Sequence, residues 1–165
     1  MSLNNYIVAI PSYKRPQTLK NKSLRVLQEQ KIDPKRIDIF VADKEQEDIY
    51  KNELPKGAYN KIIVGKPGIK NIRNFMPKYY PEGQKIFYMD DDISQVYQNF
   101  NHGKTLPRLN KETYDKKHNK LIKLKNLHKF IEKAFALAKE KKMDNWGVYP
   151  VENPYFMKPT TKEPE

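Results

Sequence analysis

The stretch that most constrains this chain is Ile86 to Asp92, reading Ile-Phe-Tyr-Met-Asp-Asp-Asp. A short apolar run of this kind reads as a buried strand, and this one ends in three consecutive carboxylates. Like charges a few ångströms apart raise one another's pKa, so such a cluster favours a cation beside it at neutral pH. Carboxylate oxygens suit hard ions such as Mg2+ or Mn2+, and Mg2+ is usually held by one or two carboxylates together with substrate phosphates. A plainer reading stands beside this one: as helix caps, Asp91 or Asp92 would accept backbone N–H groups from a segment beginning near Val96.

The residues before the acids read as alternating strands and helices. Tyr6 to Ile10 is β-branched and apolar on both faces, as in a central parallel strand, and it runs into Pro11-Ser12-Tyr13-Lys14-Arg15-Pro16. Thr18 then caps an expected helix to about Gln30, with Leu19, Leu24, Val26 and Leu27 as its apolar stripe. Ile37 to Ala42 makes a second strand closed by Asp43, and ligands bind where the strands of an open parallel sheet end, which suits an acid there to a ribose or base. A polar helix over Lys44 to Leu54 and a short strand over Lys61 to Val64 follow. Next comes Gly65-Lys66-Pro67-Gly68-Ile69-Lys70-Asn71-Ile72-Arg73-Asn74, where glycines allow close approach to a phosphate and Lys70 and Arg73 stand one helical turn apart. It is equally a simple turn before an amphipathic helix, and neither a dinucleotide fingerprint nor a Walker loop. Pro77 and Pro81-Glu82-Gly83 are expected to end this segment before the strand over Lys85 to Met89. The order β-α-β-α-β-α-β indicates an α/β fold with a mainly parallel, Rossmann-like sheet.

Past residue 98 the texture changes. Between residues 104 and 142, Lys and Arg outnumber acids 13 to 4, so much of the net charge of +12 lies in the second half. The excess fits a polyanionic partner or a solvated lysine face. Residues 99 to 119 read as a polar loop, and Leu121 to Lys142 as a helix with Leu124, Leu127, Ile131, Phe135 and Ala138 on one face. His102, His118 and His128 lack ligand-like spacing. Trp146 to Met157 is dense in aromatics, either a wall for a sugar ring or base or a cap on the core of the sheet. The 165 residues suit one domain over 1–157, divided into 1–98 and 99–157, with 158–165 as a tail. No apolar run near 18 residues or leader is read, so neither a membrane span nor a signal peptide is expected. The absence of cysteine excludes disulfides and thiolate metal sites and suits a reducing, cytoplasmic setting.

In this order and spacing, four motifs make the chain resemble GT-A-type nucleotide-sugar glycosyltransferases, the inverting, family-2-like group. They are Ile7 to Pro16, Asp43 at the end of the second strand, Gly68 through Arg73-Asn74, and Tyr88-Met89-Asp90-Asp91-Asp92 as an Asp-x-Asp motif. Together they cover roughly the first 100 residues. The run Trp146 to Met157 is further similar to the viral and phage-type transferases called TET-associated glycosyltransferases, which would place the protein in a host cytoplasm.

The resemblance implies that Pro11, Ser12, Tyr13 and Arg15 cradle the nucleotide, that Asp43 holds the base, and that Lys70 and Arg73 approach the diphosphate or ribose. Asp90 and Asp91 would contact the donor, with Asp90 and Asp92 as ligands of Mn2+ or Mg2+ and Asp92 the direct one. Trp146 and Asn153 would lie on the acceptor side. Glu152 would serve as catalytic base, although the family's base normally comes from a later part of a longer chain, so a compact member or a piece is expected. The implied donor is a nucleoside-diphosphate sugar, foremost a UDP-sugar. The acceptor would be a hydroxyl on a glycan, a protein-linked glycan or a hydroxymethylated DNA base. Two rival readings are a nucleic-acid-binding module using the Lys-rich 104–142 region and a sugar-phosphate nucleotidyltransferase.

Overall fold

Two-residue alternation on the central strands dictates the layering. β1 (Tyr6–Pro11) sends Tyr6, Val8 and Ile10 into one apolar cluster and Ala9 into another on the opposite face. β2 (Ile37–Val41) does the same with Ile37, Ile39 and Val41 against Phe40. The structure, a computed structural model, describes residues 6–99 and 121–148. With β3 (Lys61–Val64) and β4 (Lys85–Tyr88) these strands form an all-parallel sheet in the order β3-β2-β1-β4. Val8 stands opposite Ile37 on one side and Phe87 on the other, and Ile39 opposite Ile62.

Helices cover both faces. One layer holds α1 (Pro16–Leu19), a π-helical turn (Lys20–Leu24), α2 (Arg25–Glu29), α3 (Lys44–Glu53) and α5 (Leu127–Glu140). Its buried contacts to the sheet come from Leu19, Leu27, Tyr50, Leu127 and Ile131. The other layer is α4 (Ile69–Tyr79), with Ile72 and Met76 buried against Ala9, Phe40 and Ile63. Gly65 lets β3 end close under α4, because a Cβ there would run into Ile72 and lie 3.1 Å from the Phe75 ring. After three strands that step outward, β4 returns to the far side of β1, so the chain reverses its winding between β1 and β4. Crossovers of one hand then require α4 to lie on the opposite face from α1–α3.

Four local expectations are corrected by the structure. The first helix begins at Pro16 after Arg15 rather than at a Thr18 cap, since proline at the first helical position brings a fixed φ and no orphan N–H. Pro77 lies inside α4 instead of ending it, because Phe75, Tyr79 and Tyr80 continue the helix around Phe40 with ring centroids 6.3, 5.6 and 6.0 Å away. The acid-bearing strand is half-buried, not fully buried, and is an edge strand among the described residues. Leu121–Lys123 is strand β6, antiparallel to β5 (Tyr97–Asn99), and the helix starts only at Leu127. Asn126 decides that start by accepting the Lys129 N–H at 2.8 Å. The expected stripe of Leu127, Ile131 and Ala138 is the buried face of α5.

Polar groups taken inside are paired. Asp38, on the α4 face of β2, accepts from Asn60 Nδ2 at 2.8 Å and Tyr80 Oη at 2.9 Å, as a buried carboxylate must. Tyr6 meets His128 Nδ1 at 2.8 Å while the Arg36 guanidinium lies 4.8 Å from its ring centroid. Among the described residues no helix is long and apolar enough to cross a membrane.

Trp146, the only tryptophan, stacks on Phe87 at 5.7 Å and meets Phe135 edge-on at 5.2 Å. Phe87→Ala is therefore expected to cost about 2 kcal/mol in urea unfolding and to red-shift Trp146 emission in the folded state. Unchanged emission would contradict this packing.

Burial pushes the Tyr6 phenol up to about 12, and burial together with Asp38 pushes Tyr80 upward as well. Below about pH 10 both phenols are neutral folded and unfolded; above it the unfolded chain sheds their protons first, so stability falls as pH rises toward the folded value. Urea midpoints measured from pH 9 to 12 should decline above pH 10, and less steeply in Tyr6→Phe.

Candidate functional site

The three acids do not share one environment, because β4 ends at Tyr88 and the chain turns at Asp91 and Asp92. Asp90 follows Tyr88 to the α4 side and pairs with Arg73 Nη2 at 2.9 Å. Asp91 turns the other way and is buried, 1 % exposed. It accepts from Ser12 Oγ at 2.6 Å and from Arg15 Nη2 at 2.5 Å. Asp92 is again open, 47 % exposed, with Arg15 Nη1 3.7 Å away. The result is two solvent-facing carboxylates on either side of a sequestered one. Neither Asp91 nor Asp92 starts a helix, since the described residues that follow them, to Asn99, form none.

Ser12 is held from a second direction by α3. Its hydroxyl meets Tyr50 Oη at 2.6 Å, and Tyr50 Oη in turn accepts the Arg15 N–H at 3.1 Å. Burial raises the Tyr50 pKa, with the Ser12 hydrogen bond working against it, so this phenol stays protonated at neutral pH. Gln46, also on α3, accepts the Lys14 N–H at 2.9 Å, where Lys14 has φ +55°. The β1 loop is thus tied to α3 and to the end of β4 through the buried side chains of Ser12, Gln46, Tyr50 and Asp91.

Of the expected nucleotide-loop residues, Pro11 closes β1 and lines an open cleft, and Tyr13 projects 53 % exposed with Lys14 Nζ 5.2 Å from its ring centroid. Ser12 is placed in the same loop with its hydroxyl committed inward. Arg15 faces Asp91 and Asp92. Asp43 sits at the end of β2 as expected and caps α3, accepting from the Gln46 N–H at 2.9 Å. Lys70 lies exposed on the first turn of α4, one turn from Arg73. Trp146 is not brought to the acids but covers the sheet core beside Phe87, Phe130 and Phe135, the second of its two readings. Glu152 and Asn153 lie outside the described residues, as do His102 and His118.

The cleft measures about 600 Å3, within the range of small-molecule sites. Pro11, Met76, Pro77, Tyr88 and Met89 give it apolar walls, and Arg73 with Asp90 forms its lip. It opens at the carboxyl ends of β1 and β4, where the strand order reverses; open α/β sheets receive ligands at that place.

A divalent ion here would meet few protein donors. Two guanidiniums, Arg15 and Arg73, face three carboxylates and leave one negative charge over. Among the described residues no three His, Cys, Asp or Glu side chains converge on a point. An ion held by Asp90 and Asp92 would therefore take its remaining ligands from phosphate and water oxygens rather than from a self-contained protein cage.

Sequence reasoning missed Tyr50 and Ser23. Ser23 left a trace, as a hydroxyl inside the apolar stripe Leu19, Leu24, Val26 and Leu27, whereas Tyr50 sits in a polar helix with nothing local to mark it.

Removing the Ser12 hydroxyl takes one of its two partners from a buried carboxylate, so Ser12→Ala should cost about 1–3 kcal/mol in chemical denaturation. Asp90→Asn and Asp92→Asn lose only exposed pairings and should stay within about 1 kcal/mol of the parent. The opposite ranking would show that Asp91 is not the strut. Compared with protein-family models, curated proteins and solved structures, the chain matches none.

Proposed function

We propose that the protein is a metal-dependent glycosyltransferase of GT-A type, moving a sugar from a nucleoside-diphosphate donor, foremost a UDP-sugar, to a hydroxyl acceptor. The observation that carries this reading is the pair of open carboxylates, Asp90 and Asp92, flanking a buried Asp91 that is locked to the β1 loop at the reversal of the sheet. That arrangement leaves two of the three acids open at the place where a parallel sheet receives a ligand.

In this reading Asp90 and Asp92 hold Mn2+ or Mg2+, which supplies neutralising charge to the departing diphosphate. Arg73 and Arg15 are the chain's own cations at the same place. As phosphate oxygens arrive, each guanidinium exchanges a carboxylate for a phosphate, a planar bidentate match. The apolar walls of the cleft exclude water from one side of the donor. In the transfer itself the bond from the anomeric carbon to the diphosphate oxygen breaks and a bond to the acceptor oxygen forms. The hydroxyl proton then passes to a base, for which Glu152 is the residue the family resemblance suggests. The positive charge of the chain favours DNA or an acidic glycan as acceptor.

The test is a thermal-shift panel of nucleoside-diphosphate sugars with and without Mn2+. One donor should raise the melting temperature by several degrees only when metal is present, and Asp92→Asn should abolish that metal-dependent part while melting normally alone. Nucleoside diphosphate should be released on turnover. Pyrophosphate release from a triphosphate and a sugar phosphate would instead mark a nucleotidyltransferase, and stabilisation by DNA alone, indifferent to Asp90→Asn and Asp92→Asn, a nucleic-acid-binding module.

A further inference from the structure

The chain from Asp90 to Ile93 makes a tight turn. Ser23 bridges its ends. Its Oγ donates to the Asp90 carbonyl at 2.6 Å and accepts the Ile93 N–H at 3.0 Å. One buried hydroxyl thus ties both ends of the turn to the first helix. Arg25 adds an outer tie from Nη2 to the Ser94 carbonyl at 3.0 Å.

Ser23 comes to this position on the π-helical turn Lys20–Leu24 that interrupts the first helix. An extra residue within a helical turn costs hydrogen-bond geometry, and such turns recur at functional sites. Here the turn delivers a serine, 0 % exposed, from within the apolar stripe of the helix to the backbone of the acids. Nothing about packing alone calls for a hydroxyl at this place; alanine would fill an apolar stripe at lower cost.

The geometry points to Ser23 as a positioning residue: its hydroxyl, bonded to the Asp90 carbonyl and the Ile93 amide, holds the turn on which Asp90 and Asp92 face a divalent ion. Asp91 is fixed independently by Ser12 and Arg15. Ser23 thus holds the backbone of the two outer acids while the middle one is anchored through its side chain. Without the hydroxyl the turn loses its tie to the first helix and the outer carboxylates lose their fixed placement toward a shared ion. The inference rests on the metal-and-diphosphate reading of this turn.

The experiment is calorimetric titration of the full chain with Mn2+ at saturating UDP, and with UDP in the absence of metal, for the parent, Ser23→Ala and Ser23→Thr. Mn2+ affinity should fall about tenfold or more in Ser23→Ala, the usual effect of losing an outer-shell partner of a metal ligand, with metal-free UDP affinity changed less than about twofold. Ser23→Thr, which keeps the hydroxyl, should recover most of the loss. Trp146 emission confirms that each variant is folded at the titration temperature. Should Ser23→Thr fail to fold in that buried place, faster amide exchange of Ile93 in Ser23→Ala serves as the second readout, and unchanged exchange overturns the bridge. A parent with no metal-dependent UDP binding overturns the transferase reading and this inference together. A parent that binds, beside a Ser23→Ala with the same Mn2+ affinity, overturns the inference alone.

Discussion

The buried carboxylate of Asp91 is the constraint around which the rest of the site is built. An ionised group in an apolar interior is tolerated only with near-ideal partners, and Asp91 has two, Ser12 and Arg15, both on the loop after β1. Because those partners come from a segment some 76 to 79 residues earlier in the chain, satisfying one charge fixes the ends of two neighbouring strands against each other. Tyr50 extends the same constraint to α3 through Ser12 and the Arg15 amide. Three elements are thereby held at the carboxyl edge of the sheet without any of the exposed acids being consumed.

The turn after β4 does the remaining sorting. It carries three consecutive acids past the end of the strand and sends them different ways. One is sent inward to the helix layer of α1–α3 and the others stay open, Asp90 toward α4 and Arg73, Asp92 beside Arg15. The like-charge repulsion that makes Asp-Asp-Asp so conspicuous in the sequence is relieved first by the chain's own arginines. What is left over is a single negative charge and two open carboxylates, which is a modest invitation to a cation and a better one to a cation already carrying phosphates.

Several elements were legible before any coordinates. β1, β2 and β3 fall on their β-branched runs, α3 on the polar segment before Pro55, the buried face of α5 on its apolar spacing, and the parallel sheet on the alternation of the two kinds of segment. At Thr18 the cause of the difference is local, Pro16 taking the first helical position. Two other differences come from contacts elsewhere in the chain: the Phe40 ring beneath α4 at Pro77, and the partner strand Tyr97–Asn99 beside Leu121–Lys123. Tertiary packing outweighs propensities worth only fractions of a kcal/mol per residue.

By itself, then, the sequence determined the α/β alternation, the order of the first strands and the presence of an acid cluster and two arginines near strand ends, because hydrophobic period and residue type are local properties. Only the tertiary structure decided which acid is buried, that Trp146 serves the core, and that Ser23 and Tyr50 reach the site at all. Those facts depend on which side chains meet across long separations in the chain, and a hydroxyl's role is set by the partner it finds rather than by its neighbours in sequence.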